Sequence, residues 1–150
     1  MHLQYLSNLL QPPQHLTASE NAIILFDGVC NLCSSSVQQV LKYDKAGYFH
    51  FASLQGETGQ RLLQQHQLPL NAFNSFVLIE NGIAFTRSTA ALKVAKKLSG
   101  LYKILYPLII VPRFIRDAMY DLVARNRYKW FGKKEACWLP KPEWKNRFLP

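Results

Sequence analysis

Two cysteines three residues apart are the part of the sequence best suited to chemistry. Cys30 and Cys33 lie in the stretch LFDGVCNLCSSS, directly after an apolar run and an Asp-Gly pair. At the start of a helix, free backbone N–H groups and the helix dipole stabilise a thiolate on the first cysteine. The same spacing brings the second sulfur within disulfide reach. The pair therefore predicts thiol-disulfide exchange, in which Cys30 attacks and Cys33, one turn deeper and more buried, releases the product.

The same cysteines also fit two other roles. A zinc site needs four ligands, which Cys137 and one of His2, His15, His50 or His66 would complete. A second Cys-x-x-Cys or a His-x-His spacing, which would favour such a site, does not occur in the sequence. A non-enzymatic, zinc-stabilised interaction module is thus one alternative to an enzyme, and two small buried thiols without chemistry are another.

Asp27 is the carboxylate next to the cysteine pair along the chain. It is predicted to cap the turn after the apolar run, to hydrogen-bond the helix N-terminus, or to accept the proton of Cys33 during exchange. As a nearby anion it opposes the effect of the helix dipole on a Cys30 thiolate. We treat Asp27, Cys30 and Cys33 as the candidate catalytic residues.

The first half of the chain alternates strand and helix signals around these residues. AIILFD (22–27) is a short apolar β-prone run that predicts a buried strand, and apolar residues then follow Cys33 at helical spacing. YFHFASL (48–54) predicts a second strand. GETGQRLLQQHQL (56–68) predicts a second helix that is closed by a proline.

A hairpin and a third helix follow. Two β-rich runs in SFVLIENGIAFTRS (75–88) flank Asn81-Gly82, a pair that favours a two-residue hairpin turn. Ser88 is predicted to cap the next helix, which Gly100 ends. The predicted order is β-α-β-α-β-β-α, the order of a thioredoxin-like α/β domain, and its first helix begins at the cysteines.

The last third of the chain differs in character. LYKILYPLIIVP (101–112) is apolar but is interrupted by a lysine and two prolines, so it is far shorter than the ~20 residues that a membrane helix needs. The residues after Pro112 predict a helix with one apolar face, made of Phe114, Ile115, Ala118, Met119, Leu122 and Val123. We expect an N-terminal extension (1–21), a core (22–100) and a basic helical extension (101–150) packed on that core as one domain.

Charge is distributed unevenly along the chain. Residues 1–86 hold three basic and five acidic side chains, whereas residues 87–150 hold fifteen basic and four acidic ones. This asymmetry indicates an anionic partner for the C-terminal part, such as nucleic acid, a membrane surface or an acidic protein, and solvated helix faces explain it equally well. A binding protein of this kind, with the cysteines as a passive redox switch, is a third alternative.

Cysteine usage and the N-terminus bear on the compartment. Three cysteines among 150 residues do not suit a secreted disulfide framework. The start MHLQYLSNLLQPPQ has neither the cationic start nor the long apolar run of a signal peptide. We therefore expect a cytoplasmic protein, and we predict no cofactor and no transmembrane segment.

The pattern Asp27-Gly28-x-Cys30-x-x-Cys33 resembles the signature of the DCC family, which is named for its Asp-Cys-Cys motif and described as thiol-disulfide oxidoreductases. The resemblance extends to RSTAALKVAKKL (87–98), LYPLIIVPRFIRDAMYDLVARNRYKWFG (105–132) and Cys137. It implies a thioredoxin-like fold and a redox pair at Cys30 and Cys33. The expected substrate is a protein disulfide or a low-molecular-weight thiol.

Four further residues are predicted to bind substrate. Arg87, Ser88 and Thr89 lie where glutaredoxin-like folds bind the acidic end of glutathione, and a helix N-terminus suits an anion. Simple helix capping is the alternative for them. Thioredoxins and glutaredoxins carry a cis-proline just before the third strand, and here Asn74 and Ser75 occupy that stretch, so Ser75 is the fourth candidate.

The motif ARNRYKWFG near the end of the predicted C-terminal helix has two interpretations. Arg125 and Arg127 either bind an acidic partner or anchor the extension onto the core. We favour anchoring, because the aromatic residues of the motif would supply apolar packing beside them.

Overall fold

A four-stranded sheet and four α-helices make up most of the structure, a computed structural model that describes residues 22–69, 76–133 and 141–149. The strands are β1 (Ala22–Phe26), β2 (Phe49–Ser53), β3 (Val77–Glu80) and β4 (Ile83–Thr86). The α-helices are α1 (Asn31–Tyr43), α2 (Glu57–Gln65), α3 (Arg87–Lys97) and α4 (Arg113–Phe131). Two 3₁₀ helices, Gly100–Ile110 and Pro142–Arg147, complete the elements of the described residues.

The sheet has the strand order β2-β1-β3-β4. β1 pairs in parallel with β2 and antiparallel with β3, and β3 pairs antiparallel with β4 across the predicted Asn81-Gly82 turn. Both turn residues have positive φ, as that type of hairpin turn requires. The predicted β-α-β-α-β-β-α order is confirmed, and the fold is a mixed α/β fold consistent with the thioredoxin class.

Each face of the sheet is covered by apolar side chains. Alternate residues of β1 point to opposite faces, so Ile24 and Phe26 join a cluster with α1 and α3, while Ile23 and Leu25 join one with α2. β1 is buried along its whole length because it has a strand on each side and helices on both faces. The position of the residues that follow β1 is therefore tightly defined.

Helix α2 lies unusually close to the end of β2. A Cβ atom on Gly59 would lie 2.0 Å from the carbonyl oxygen of Ser53, far inside van der Waals contact. Glycine is thus required here by the close approach of the helix to the strand.

Helix α4 packs on α1 and α3 with the face opposite to its apolar face. Asp117, Ala124 and Arg127 are its buried residues, whereas Phe114 is 76% and Met119 is 68% exposed. The apolar face of the helix therefore does not pack inward. The reason is that the buried charged residues have their partners on the core, and a buried charge without a partner is far more costly than an exposed apolar side chain.

The 3₁₀ helix before α4 also turns apolar residues outward. Together the two elements present what we call the outer apolar face, whose exposed members are Leu101, Ile104, Leu105, Leu108, Ile110, Phe114, Ile115, Met119, Leu122 and Val123. Within the described ranges, no helix combines the length and the apolar character that crossing a membrane demands.

The C-terminal segment 141–149 lies along the free edge of β2. Phe148 stacks on Phe51 with 5.2 Å between ring centroids, and the N–H of Leu149 donates to the Phe51 carbonyl at 2.7 Å. Arg147 forms a largely buried ion pair with Asp44. These contacts cover the edge of the sheet farthest from the hairpin.

Candidate active site

Helix α1 begins at the cysteine pair. Cys30 is the N-cap residue, with extended backbone angles (φ −84°, ψ 126°), and its sulfur accepts a hydrogen bond from the backbone N–H of Cys33 at 3.5 Å. Both cysteines are free thiols. The sulfur of Cys30 thus occupies the place of a capping oxygen, where the unpaired N–H groups of the first turn favour negative charge.

Cys33 is held as a protonated thiol. Burial, together with the charge of Cys30 and a hydrogen bond to it, raises the pKa of Cys33 to about 12. The charge of Asp27 makes a smaller contribution to this rise in pKa. At neutral pH the Cys33 thiol therefore keeps its proton and offers it to the Cys30 sulfur.

The burial of the two cysteines is the reverse of the sequence-based expectation. Cys30 is completely buried, whereas Cys33 retains partial exposure. The backbone of Cys30 forms an isolated β-bridge with Lys133, and the N–H of Asn31 donates to the Gly132 carbonyl at 3.3 Å. The end of α4 thus covers Cys30, so the prediction that Cys33 is the more buried sulfur is wrong.

Gly132 makes this covering contact possible. It has φ +89°, and a Cβ atom there would lie 2.8 Å from Nδ2 of Asn31. That same Asn31 amide donates to the Phe131 carbonyl at 2.8 Å. The last two residues of the ARNRYKWFG motif therefore pack closely against Asn31, the first residue of α1.

Asp27 is buried and fully engaged. Its carboxylate accepts hydrogen bonds from Gln55 Nε2 at 2.7 Å, from the Val29 N–H at 3.2 Å, from Arg127 at 3.2 Å and from the Tyr128 hydroxyl. Burial raises the pKa of Asp27, but these four hydrogen bonds outweigh it and leave the pKa below its ordinary value. Asp27 is therefore held as a carboxylate that ties α4 to the turn before the cysteines.

The predicted anchoring role of Arg127 is confirmed by this buried ion pair with Asp27. Arg127 also donates to the Ala124 carbonyl and to the Tyr128 hydroxyl. Arg125, in contrast, is exposed and donates to the Asp121 carbonyl of its own helix at 3.3 Å. One arginine of the motif anchors α4, and the other faces solvent.

A cavity of about 240 Å³ adjoins Cys33 between α1, α3 and α4. Its lining is almost entirely apolar, and Leu32, Phe76 and Ala91 contribute to it beside Cys33. The Tyr120 side chain closes one wall, and its hydroxyl accepts from the Phe76 N–H at 3.2 Å. Cys33 thus borders the cavity, whereas Cys30 is not among the residues that line it.

The predicted substrate-binding residues of α3 contact α4. The Ser88 hydroxyl donates to Asp117 at 2.5 Å, and Arg116 donates to Ser88 and Thr89 at 3.3 and 3.4 Å. Thr86 is the N-cap of α3 and makes no capping hydrogen bond with its side chain, so the capping role predicted for Ser88 is wrong. The reason is that Asp117 provides a buried charged acceptor for the hydroxyl.

Arg87 is likewise engaged by α4, through an ion pair with Asp121 at 3.5 Å. Arg87, Ser88 and Thr89 are absent from the lining of the cavity beside Cys33. Ser75, the fourth candidate, and Cys137 lie outside the described residues, as does the stretch that corresponds to the cis-proline region. Substrate binding by these four residues stays a prediction.

The zinc alternative finds no cluster in the described parts of the chain. Across 22–69, 76–133 and 141–149, no three His, Cys, Asp or Glu residues lie close enough together to hold a metal ion. The candidate ligands His2, His15 and Cys137 lie outside those ranges.

Two residues of the site were missed in the sequence. Gln55 and Tyr128 both bond the Asp27 carboxylate. A signal for Gln55 existed, because β1 and β2 are parallel and Phe26 pairs with Ser53, which places the residues after the two strands side by side. Tyr128 was visible only as one aromatic of a motif.

An α/β fold of the thioredoxin type whose first helix starts at two free cysteines is characteristic of proteins that carry out thiol-disulfide exchange. The sequence profile of the DCC1-like thiol-disulfide oxidoreductase family matches residues 24–133, and the chain belongs to this family.

Two known proteins are similar to this chain over most of its length. The chain is 52% identical over 130 residues to the uncharacterized protein YuxK of Bacillus subtilis (strain 168). This alignment covers 87% of the present chain and 95% of YuxK. The chain is 38% identical over 116 residues to a chloroplastic DCC family protein of Arabidopsis thaliana, covering 77% of this chain and 67% of that protein. No solved structure shows significant similarity.

Proposed function

We propose that the protein is an enzyme that exchanges a Cys30–Cys33 dithiol or disulfide with a protein disulfide or a low-molecular-weight thiol. Family membership supports the general class. The observation that carries the finer proposal is the hydrogen bond from the Cys33 N–H to the Cys30 sulfur at the start of α1. When the Cys30–Cys33 disulfide is broken, this contact stabilises the negative charge on the released Cys30 sulfur.

Asp27 acts in this proposal as a positioning residue. Its four hydrogen bonds hold the turn before Cys30 against α4. Because they lower the pKa of Asp27, its carboxylate is a weaker base than that of an ordinary aspartate. The reaction needs no cofactor, since both electrons reside on the two sulfurs. We place the reaction in the cytoplasm for two reasons. The chain has few cysteines, and a Cys-x-x-Cys pair in a cytoplasmic protein is often catalytic.

An anionic partner for the basic C-terminal part is a separate prediction. Arg127 and Arg147 are engaged inside the fold by Asp27 and Asp44, so they do not serve such a partner. Any such partner therefore contacts the remaining basic side chains of this part of the chain.

The redox proposal predicts a reversible disulfide. In glutathione buffers of graded potential, wild-type protein should convert between dithiol and Cys30–Cys33 disulfide, with a midpoint of roughly −270 to −120 mV. Thiol-labelling gel shifts measure the fractions, and Cys33→Ser is the control that cannot form the bond. Failure to form the disulfide in oxidised glutathione, or stoichiometric zinc in protein purified without chelator, would replace the enzyme by the zinc module.

A further inference from the structure

We infer that the apolar cavity beside Cys33 is the substrate site and that the substrate sulfur bonds to Cys33. This inference rests on the proposed function. Cys30 is completely buried and its backbone is paired with Lys133, whereas Cys33 lines a cavity of about 240 Å³. A molecule that enters the cavity therefore meets the sulfur of Cys33.

The walls of the cavity define the chemistry of its occupant. Leu32, Phe76, Ala91, Val94 and Val123 line it beside Cys33. The guanidinium of Arg127, also at the wall, already binds Asp27. A space larger than the ~150 Å³ that holds a benzene molecule accepts an aromatic or branched aliphatic group and excludes a charged one. The substrate is a thiol or disulfide with an apolar group beside the reacting cysteine.

The electron balance supports attack at Cys33. A substrate thiolate attacks the Cys33 sulfur of the Cys30–Cys33 disulfide, forms a mixed disulfide with it, and displaces Cys30 as a thiolate that the Cys33 N–H receives. A second substrate thiol then attacks the bound substrate sulfur, which forms the substrate disulfide and leaves Cys33 as a thiol. Two electrons pass from substrate to protein, and a second disulfide with an apolar group beside its reacting cysteine takes them up again. The reverse sequence reduces a substrate disulfide.

Two single-cysteine variants and two peptides test this inference. One peptide carries its cysteine between leucines and the other between serines, each activated as a mixed disulfide with thionitrobenzoate. The preference for the leucine peptide is the ratio of the two capture rates, from which the thiolate fraction of each variant cancels. Cys30→Ser, which retains Cys33, should prefer the leucine peptide by about tenfold or more, since burying a large apolar side chain is worth at least that factor. Cys33→Ser should show no preference.

Filling the cavity supplies the matched control. Ala91→Leu in the Cys30→Ser background should abolish the preference, whereas Ala118→Leu, at an exposed position of α4, should leave it unchanged. Equal rates for both peptides with Cys30→Ser, or a preference found with Cys33→Ser, overturns the inference. If the glutathione experiment still shows a reversible disulfide, only the substrate site fails and the proposed function stands.

A second proposal comes from the outer apolar face, which we propose docks on the surface of an anionic lipid bilayer. Ile110 is 86%, Leu101 80% and Phe114 76% exposed, in two consecutive elements that turn their apolar side chains away from the core. Soluble proteins seldom expose large apolar patches unless these bind something. The face is therefore an interaction surface.

Charge identifies the occupant. Residues 101–133 carry seven basic and two acidic side chains, and one of the basic ones, Arg127, is buried against Asp27. Both acids are engaged, Asp117 by Ser88 and Arg113, and Asp121 by Arg87. The other six basic side chains still outnumber the two acids. A second copy of the chain would bring the same positive charge against itself, whereas anionic lipids attract Lys and Arg and their interface accepts the apolar side chains. The combination is typical of elements that lie in the plane of a membrane surface.

Vesicle sedimentation tests the proposal. The protein should sediment with vesicles of equal parts phosphatidylglycerol and phosphatidylcholine, far less with phosphatidylcholine alone, and less as salt is raised. Phe114→Glu with Met119→Glu should weaken binding by about tenfold or more, because both side chains are exposed and leave the core intact. Ile83→Glu, at a 56% exposed apolar position on β4, is the control and should bind as wild type. A stable dimer in light scattering, or equal binding by all variants, overturns the proposal.

Discussion

Replacing Arg127 by methionine should destabilise the fold by about 3–5 kcal/mol, because it leaves the buried Asp27 carboxylate without its cation. Both side chains of this ion pair are almost inaccessible, at 7% and 1% exposure, so water does not replace the lost partner. The pair also ties α4 to the turn before Cys30. We therefore expect α4 to unfold less cooperatively with the rest of the fold, in addition to the lower free energy of unfolding.

Urea unfolding measures this effect through the midpoint of the transition. Arg125→Met removes an exposed arginine from the same helix and should change the free energy of unfolding by less than about 0.5 kcal/mol. Asp27→Asn combined with Arg127→Met removes both charges and should cost less than Arg127→Met alone. Equal midpoints for Arg127→Met and Arg125→Met would contradict the anchoring role of Arg127.

The same ion pair shapes the dependence of stability on pH. Because the pKa of Asp27 is lowered in the folded protein, its contribution is present above the unfolded carboxyl pKa of about 3.9 and is lost as pH falls through the folded value. Asp117, whose pKa is also lowered, acts in the same direction. Acid destabilisation should thus set in below about pH 4 and become shallower in Asp27→Asn.

The sequence predicted the core of the fold well, because its signals are local. The Asn81-Gly82 turn, the apolar β1 run and the helical spacing after Cys33 each depend on residues a few positions apart. The position of Cys30 at the start of α1 followed from the same short-range logic. Helix and strand order could therefore be obtained without any knowledge of tertiary contacts.

The orientation of α4 could not be obtained in that way. Amphipathicity assumes that the apolar face of a helix packs inward, but here the contacts between Ser88 and Asp117 and between Asp27 and Arg127 determine which face is buried. Those partners are 29 and 100 residues apart. No local pattern encodes such pairs, and the β-bridge between Cys30 and Lys133 depends on the same long-range packing.

Removing Cys30 should make Cys33 more reactive. In the wild type the pKa of Cys33 is about 12, so at pH 7 roughly one molecule in 100,000 carries the Cys33 thiolate. Alkylation of Cys33 by iodoacetamide should be slower than that of an ordinary cysteine by on the order of a thousandfold. Burial raises the pKa most, followed by the charge of Cys30 and the hydrogen bond to it. Cys30→Ser removes the last two causes and should accelerate the reaction.

Site-resolved mass spectrometry after short pulses of iodoacetamide, between pH 6 and pH 10, measures these rates. The reference thiol is Ser35→Cys in a chain that lacks Cys30 and Cys33, since position 35 is exposed on the same helix. The wild-type profile at Cys33 should still rise at pH 10, where the reference has levelled off. A Cys33 that alkylates as fast as the reference thiol in wild type, or more slowly after Cys30→Ser, would show that Cys30 does not hold the charge of the pair. The rates at Cys30 in the same samples test the sequence-based prediction that Cys30 is the more reactive thiol of the pair.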